Sequence, residues 1–129
     1  MRRISKKRQE RLQLVEPLRD DYRCQFPVCQ VPECSRLASD IHEISRGASR
    51  GASLGERCTW LHLCRPCHEE MGDYSKWPIV RQLAVKKLAD PEGYDLAAFC
   101  VIRGRAEGAI NEDEVNGLCV EFTEESGGA

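Results

Sequence analysis

The chain has 129 residues with a formal net charge of −2, and 41% of the residues are hydrophobic but only 6% aromatic. That length suits one domain, or a small domain with an appendage, and the composition is that of a globular protein rather than a disordered one. No apolar run reaches the ~18 residues that a membrane span requires. The basic start MRRISKKRQERLQ is not followed by the apolar stretch of a signal peptide. We therefore expect a cytoplasmic protein without a membrane partner.

In chain order, the sequence predicts a basic arm, a helix, two short strands and several further helices. The first helix covers residues 5–20, and Pro17 should kink or end it. A turn-rich segment, 21–36, leads to strands near 37–44 and 57–63, which the loop RGASRGAS joins. A second helix is predicted to start near Arg65 or Pro66. Three further helices are predicted at 78–88, 95–102 and 112–118, and a disordered acidic tail follows them.

Charge is distributed unevenly between the two ends of the chain. All 19 Lys and Arg residues lie within residues 1–105, which carry a net charge of +5, whereas residues 106–129 contain seven acids and no base. The first eleven residues contain a single acid, Glu10, and six bases: Arg2, Arg3, Lys6, Lys7, Arg8 and Arg11. Such a block is typical of a nucleic-acid-binding arm. A solvated terminus without specific contacts is the alternative.

Eight cysteines in a chain expected to stay in a reducing compartment favour metal binding over disulfides. The CRPC segment at 64–67 is half of a zinc knuckle on a turn that enters a helix. The other half comes from CQFPVC (24–29) or CQVPEC (29–34), which share one cysteine. A tetrahedral zinc site takes four ligands, so one upstream cysteine is surplus. The favoured set is Cys29, Cys34, Cys64 and Cys67, and Cys24 with Cys29 is the competing pair.

The three histidines, His42, His62 and His68, lie within 27 residues around the second cysteine pair. Together with the cysteines they resemble the HNH endonucleases, the ββα-metal family, and most of all its small phage-encoded members. The matching segments are CQVPECSRLASDIHEI (29–44) and TWLHLCRPCHE (59–69). The resemblance covers about residues 22–72, and the rest of the chain has no part in it.

The resemblance implies a catalytic divalent ion, Mg²⁺ or Mn²⁺, between a strand and a helix. His42 and His68 would hold the ion, and Asp40 could complete the shell. Glu43 stands where the family has a histidine that acts as general base, and Thr59 stands where the family has an asparagine. A second alignment makes Asp40 the ligand and His42 the base. Both alignments remain open on the sequence.

DNA is the expected partner, held through phosphate contacts of low sequence specificity. Four arginines around the expected site could neutralise phosphates: Arg46, Arg50, Arg57 and Arg65. No small-molecule cofactor is expected. A catalytically inactive HNH-like protein that binds nucleic acid, or a phage, replication or packaging protein, is the main alternative. An unrelated zinc-ribbon interaction module is the other.

The predicted fold is α+β, with a small HNH-like ββα core stapled by a four-cysteine zinc knuckle. A helix precedes this core and further helices follow it. The predicted divisions are a basic arm (1–20), the core (21–73), a helical appendage (74–118) and an acidic disordered tail (119–129).

Overall fold

A computed structural model describes residues 6–45, 55–102 and 110–127. Within these ranges the chain has an α+β fold of five α-helices, one 3-10 helix and a two-stranded antiparallel sheet, which confirms the predicted class. The elements are α1 (Lys6–Gln25), β1 (Asp40–Glu43), the 3-10 helix (Arg57–Thr59), β2 (Trp60–Leu63), α2 (Arg65–Met71), α3 (Ile79–Ala89), α4 (Leu96–Ile102) and α5 (Glu112–Gly127). The RGASRGAS loop and the first five residues lie outside the described ranges.

The sheet separates two environments. Asp40 lies opposite Leu63 and His42 opposite Leu61, and because side chains alternate along a strand these four residues share one face. Leu61 and Leu63 are fully buried, so this face belongs to the core. The opposite face carries Trp60, which packs against α1.

Three predicted boundaries in the first half of the chain are wrong. Helix α1 does not end at Pro17 but continues to Gln25, where burial of Tyr22 against the sheet outweighs the local cost of proline. The first strand is only four residues long, and Leu37 forms an isolated bridge with Val28 instead. Residues 57–59, predicted as strand, form the 3-10 helix that precedes β2.

The prediction for the C-terminal region is also wrong. The helix predicted to end at Leu118 continues to Gly127, so residues 119–127 are helical rather than a disordered tail. Burial of Phe122 explains the difference, because this side chain stacks on Trp77 with ring centroids 6.2 Å apart. No helix in the part of the chain that the structure describes is long and apolar enough to cross a membrane.

Helices α3 and α5 pack on each other, and their buried side chains belong to the same hydrophobic core as Leu61 and Leu63. The guanidinium of Arg81 lies 4.0 Å from the centre of the Trp77 ring, a cation–π contact that covers the edge of this interface. The most deeply buried apolar side chains of the shared core are Ile44, Leu61, Leu63, Met71, Leu83, Ala84, Val85, Phe99 and Val115.

A buried polar network joins α1 to α3 on the other side of the sheet. Lys86 is fully buried, and its ammonium group donates hydrogen bonds to the Tyr22 hydroxyl (3.0 Å) and to Asp90 (2.8 Å). Arg57 donates two hydrogen bonds to the same carboxylate. Burial lowers the pKa of Lys86 to about 8 although Asp90 opposes this change. The network fixes the C-terminal end of α3 relative to the N-terminal helix.

Candidate functional site

Four cysteine side chains meet between the 29–34 turn and the start of α2. The Sγ atoms of Cys29, Cys34, Cys64 and Cys67 all lie within 4.8 Å of one another. Cys34 Sγ is 3.8 Å from Cys64 Sγ and 3.9 Å from Cys67 Sγ. A tetrahedron of zinc–sulfur bonds of ~2.3 Å has edges of about 3.8 Å. The cluster is therefore the right size to hold a metal ion such as zinc.

Local backbone geometry explains how these cysteines converge. The Cys34 amide donates to the Val31 carbonyl at 3.0 Å, closing a turn with Pro32 at its second position and Glu33, with φ 68°, at its third. These are features of a type II turn. Downstream, Cys64 caps α2 in an extended conformation, with proline in the first turn. Each pair of cysteines is thus presented by a short turn that residues within the pair determine.

Cys24 is exposed and lies outside the cluster. The sequence favoured Cys29 with Cys34 over Cys24 with Cys29, and the structure brings the favoured set together. Cys58 and Cys100 are buried and also lie outside this group.

Beside the cluster, Asp40, His42 and His68 converge. Asp40 and His42 share the core-facing side of β1, and α2 carries His68 one residue after Cys67. The ring centroids of the two histidines are 5.2 Å apart, edge to face. His68 Nδ1 lies 2.8 Å from an Asp40 carboxylate oxygen, and this hydrogen bond is the main reason that the pKa of Asp40 is lowered. The cluster and the pair of imidazoles are neighbours because one helix carries residues of both.

His42 is the buried member of the imidazole pair. It is 6% exposed, and burial lowers its pKa to about 4 although a hydrogen bond to Gln82 opposes this. Its Nε2 atom lies 2.7 Å from Oε1 of Gln82. His68, by contrast, is about one-third exposed at its side chain. The ring on the strand is neutral and enclosed, whereas the ring on the helix is open to solvent.

The two residues that depart from the HNH pattern are placed differently. Strand alternation puts Glu43 on the opposite face of the sheet from Asp40 and His42, at the last position of β1, opposite Trp60. Thr59 is fully buried. Its hydroxyl donates to the Glu56 carbonyl at 2.8 Å, and its own carbonyl accepts from the Ile44 amide at 2.8 Å. Thr59 therefore fastens the two ends of the loop between the strands.

The predicted phosphate-binding arginines fall into three groups. Arg57 forms a bidentate pair with Asp90, which assigns its guanidinium to the buried network rather than to the phosphate contact predicted for it. Arg65 is 69% exposed at its side chain, and its Nε atom lies 3.1 Å from Asp40, at the edge of the imidazole pair. Arg46 and Arg50 lie outside the described residues.

Sequence reasoning missed Gln82. This residue lies on α3, in the segment predicted to be an appendage, and it is fully buried. It is a polar residue inside the apolar sequence IVRQLAV, which is the only feature of the sequence that could have drawn attention to it. Nothing in the spacing of α3 connects it to a strand forty residues earlier.

Comparison of the chain with protein-family models, curated proteins and solved structures gives no match. The resemblance to the HNH endonucleases therefore stays a prediction from the sequence motifs.

Proposed function

We propose that the chain is a zinc-stapled, HNH-type endonuclease that hydrolyses DNA phosphodiester bonds with a divalent cation held between His42 and His68, beside Asp40. One observation carries the proposal: these three residues converge on one face of a two-stranded sheet and its following helix, directly beside the four-cysteine cluster. Zinc at the cysteines would fix α2 relative to the 29–34 turn, and with it the direction of His68.

The hydrogen bond between Asp40 and His68 supports a cation-binding role for this ring. An ionised carboxylate only accepts hydrogen bonds, so the His68 proton lies on Nδ1, and Nε2 keeps its lone pair. Carboxylates commonly orient metal-binding histidines in this way. Asp40 is therefore better suited to orienting His68 than to binding the cation directly.

A cation at this position would contribute by stabilising the negative charge that develops on the phosphate and on the leaving 3′ oxygen. In the hydrolysis a water oxygen forms a new bond to phosphorus and the bond from phosphorus to the 3′ oxygen breaks. The water loses one proton to a base, and the leaving oxygen gains one. Glu43, at the end of β1, is the proposed base, and the second alignment gives this role to His42.

Surface charge supports DNA as the substrate. Arg65 is exposed at the edge of the imidazole pair, where it could pair with a phosphate oxygen. Helix α1 begins with the exposed bases Lys6 and Lys7, and Arg11 follows one turn later. Removing residues 1–11 should lower DNA affinity and flatten its dependence on salt, because fewer counterions are released on binding.

The decisive experiment is plasmid nicking by the zinc-loaded protein with Mg²⁺ or Mn²⁺. The wild type should nick, and His68→Ala should abolish nicking while it retains zinc and helical content. His62→Ala is the matched control, since His62 lies on the other face of the sheet and its Nδ1 bonds to the Phe26 carbonyl. A zinc-loaded wild type that binds DNA but does not nick it with any divalent ion contradicts the proposal.

Two further variants choose between the alignments. If Glu43 is the base, Glu43→Gln should slow nicking by ~10²–10⁴-fold, the range expected for loss of a general base. If His42 is the base and Asp40 the ligand, Asp40→Ala should be the more damaging change. Glu43→His restores the family pair and should raise the rate near neutral pH in the first case only.

A second function, DNA binding without catalysis, is favoured by the position of Glu43. The strand directs this carboxylate away from the face that holds His42 and His68, and a general base must reach the attacking water. This alternative predicts salt-dependent gel shifts and no nicking by either the wild type or Glu43→His.

A further inference from the structure

Gln82 makes three hydrogen bonds that together determine which way its amide group is oriented. Its Nε2 atom donates to the Trp77 carbonyl at 2.7 Å and to the Met71 carbonyl at 3.2 Å. A carbonyl oxygen only accepts hydrogen bonds. The reversed orientation would place the amide oxygen against two other oxygens in a fully buried position, at a cost of the unmade bonds. Oε1 is therefore the atom that faces His42.

The orientation of Gln82 in turn determines the proton position on His42. Oε1 is an acceptor, so the Nε2 atom of His42, 2.7 Å away, must donate. A neutral imidazole carries one proton, and burial keeps this ring neutral. The proton is consequently on Nε2, and Nδ1 carries the lone pair. The opposite tautomer would set two lone pairs against each other at hydrogen-bond distance.

We infer that Gln82 is a positioning residue of the nuclease site, which selects the His42 tautomer whose Nδ1 atom can bind the divalent cation. This inference rests on the proposed function and extends it beyond the segment that resembles the HNH family, because Gln82 belongs to α3. The same amide donates to the Met71 carbonyl at the end of α2, the helix that carries His68. One side chain thus contacts both elements that supply an imidazole.

Gln82 and Asp40 act as a matched pair of orienting groups. Asp40 holds the proton of His68 on Nδ1, and Gln82 holds the proton of His42 on Nε2. Each ring is left with one lone pair, and neither proton must be displaced when a cation binds. A neutral amide suits the enclosed ring, since a carboxylate would be costly to bury there, and a carboxylate suits the partly exposed ring.

The test separates tautomer selection from structural support by comparing two substitutions. Gln82→Glu and Gln82→Met both disturb the donation to the Met71 and Trp77 carbonyls. Only Gln82→Glu retains an oxygen that accepts from His42. Long-range ¹H–¹⁵N correlation spectra of the zinc-loaded full chain at about pH 8, where imidazoles are neutral, report the protonated nitrogen of each histidine. Signals are assigned from His62→Asn and His68→Asn.

We expect the wild type and Gln82→Glu to show His42 protonated on Nε2, and Gln82→Met to show a mixture or the other tautomer. Mn²⁺ affinity should fall by ~10–100-fold in Gln82→Met, the usual effect of losing an orienting partner, and by much less in Gln82→Glu. A wild-type His42 protonated on Nδ1 overturns the inference even if neither variant folds. Equal losses of Mn²⁺ affinity in both variants, or none in Gln82→Met, overturn it as well.

The same measurements distinguish failure of the inference from failure of the proposed function. A wild type that nicks DNA alongside a Gln82→Met protein with unchanged Mn²⁺ dependence contradicts only the role of Gln82. A wild type that neither binds Mn²⁺ nor nicks DNA contradicts the nuclease proposal, and the inference about cation binding fails with it, whichever tautomer the spectra report.

Discussion

The four-cysteine cluster and the imidazole pair are adjacent, yet they depend on different parts of the chain. The cluster is presented by two short turns, and each turn is determined by the residues between its own cysteines. The imidazole pair needs a strand, a helix and a glutamine from a second helix. The geometry of the four-cysteine cluster should therefore tolerate substitutions elsewhere in the fold. The geometry of the imidazole pair should change whenever the packing of its strand or of either helix changes.

The largest expected effect is on the four-cysteine cluster. Cys64→Ser removes a ligand from a cluster whose binding free energy contributes directly to folding, ~10–16 kcal/mol for structural zinc in small domains. We expect loss of bound zinc, measured by elemental analysis, together with loss of helical content in circular dichroism.

The control for that prediction is Cys24→Ser, since Cys24 is exposed and outside the cluster. It should retain one zinc per chain and normal helical content. Loss of zinc from Cys24→Ser would favour the competing assignment, in which Cys24 and Cys29 are the upstream ligands. Unchanged zinc content in Cys64→Ser would refute the cluster.

The second-largest effect should change the imidazole pair and leave the four-cysteine cluster intact. Asp90→Asn leaves Lys86 buried without its carboxylate, and breaking one side of a buried ion pair typically costs ~3–5 kcal/mol. Urea unfolding should show this loss, and because Lys86 and Gln82 share α3 the His42 spectrum should change too. Zinc content should not.

Asp21→Asn is the comparison for Asp90→Asn, because Asp21 is exposed on α1 and surface changes usually stay within about 0.5 kcal/mol. Equal stability of the two variants would show that the Lys86 network contributes little to holding α3.

A smaller effect concerns pH. The pKa of Lys86 is about 8 in the folded chain and ~10.4 when unfolded. Between these values the unfolded chain binds a proton that the folded chain has released, so the free energy of unfolding rises with pH. The rise should total about 3 kcal/mol for this group.

Other groups titrate in the same window, including Cys58, whose pKa burial raises to about 11. The quantity to measure is therefore the difference in unfolding free energy between wild type and Lys86→Met across the window. Parallel pH curves for the two proteins would argue against a depressed lysine pKa.

The smallest expected effect concerns the turn that presents Cys34 to the cluster. Glu33 has φ 68° at the turn position where glycine is preferred. Glu33→Gly should raise the free energy of unfolding by up to ~1 kcal/mol, since it removes the left-handed strain. Glu33→Ala also removes the glutamate side chain but keeps a Cβ, so the backbone strain remains. The melting temperature of Glu33→Ala should therefore not rise. Equal effects of the two changes would contradict the strain.

The parts predicted correctly from sequence are those set by short-range patterns. CRPC and the overlapping CQVPEC segment indicate two cysteine turns, and the start of α2 follows from its proline. Long-range packing decided the rest. Pro17 does not end α1 because Tyr22 is anchored beneath Trp60, and α5 does not end at Leu118 because Phe122 stacks on Trp77.

The candidate site divides in the same way. Spacing within segments and the family resemblance were enough to nominate His42, His68 and the four cysteines. The partners of these residues come from distant segments: Gln82 for His42, and Asp90 for Arg57, which looked like a phosphate ligand when considered alone. Charge and residue type cannot show which arginine is already paired, since pairing is decided by the fold.

The separation in sequence of these contacts also implies an order of assembly during synthesis. The cysteine cluster is complete once residue 67 has left the ribosome, whereas the hydrogen bond from Lys86 to Tyr22 joins residues 64 positions apart and waits for the whole of α3. The loop between Tyr22 and Lys86 can close only after more of the chain has been synthesised, and its closure costs more entropy than that of a short turn. A nascent chain should therefore capture zinc first, before Lys86 joins α3 to α1 and before Gln82 completes the imidazole pair.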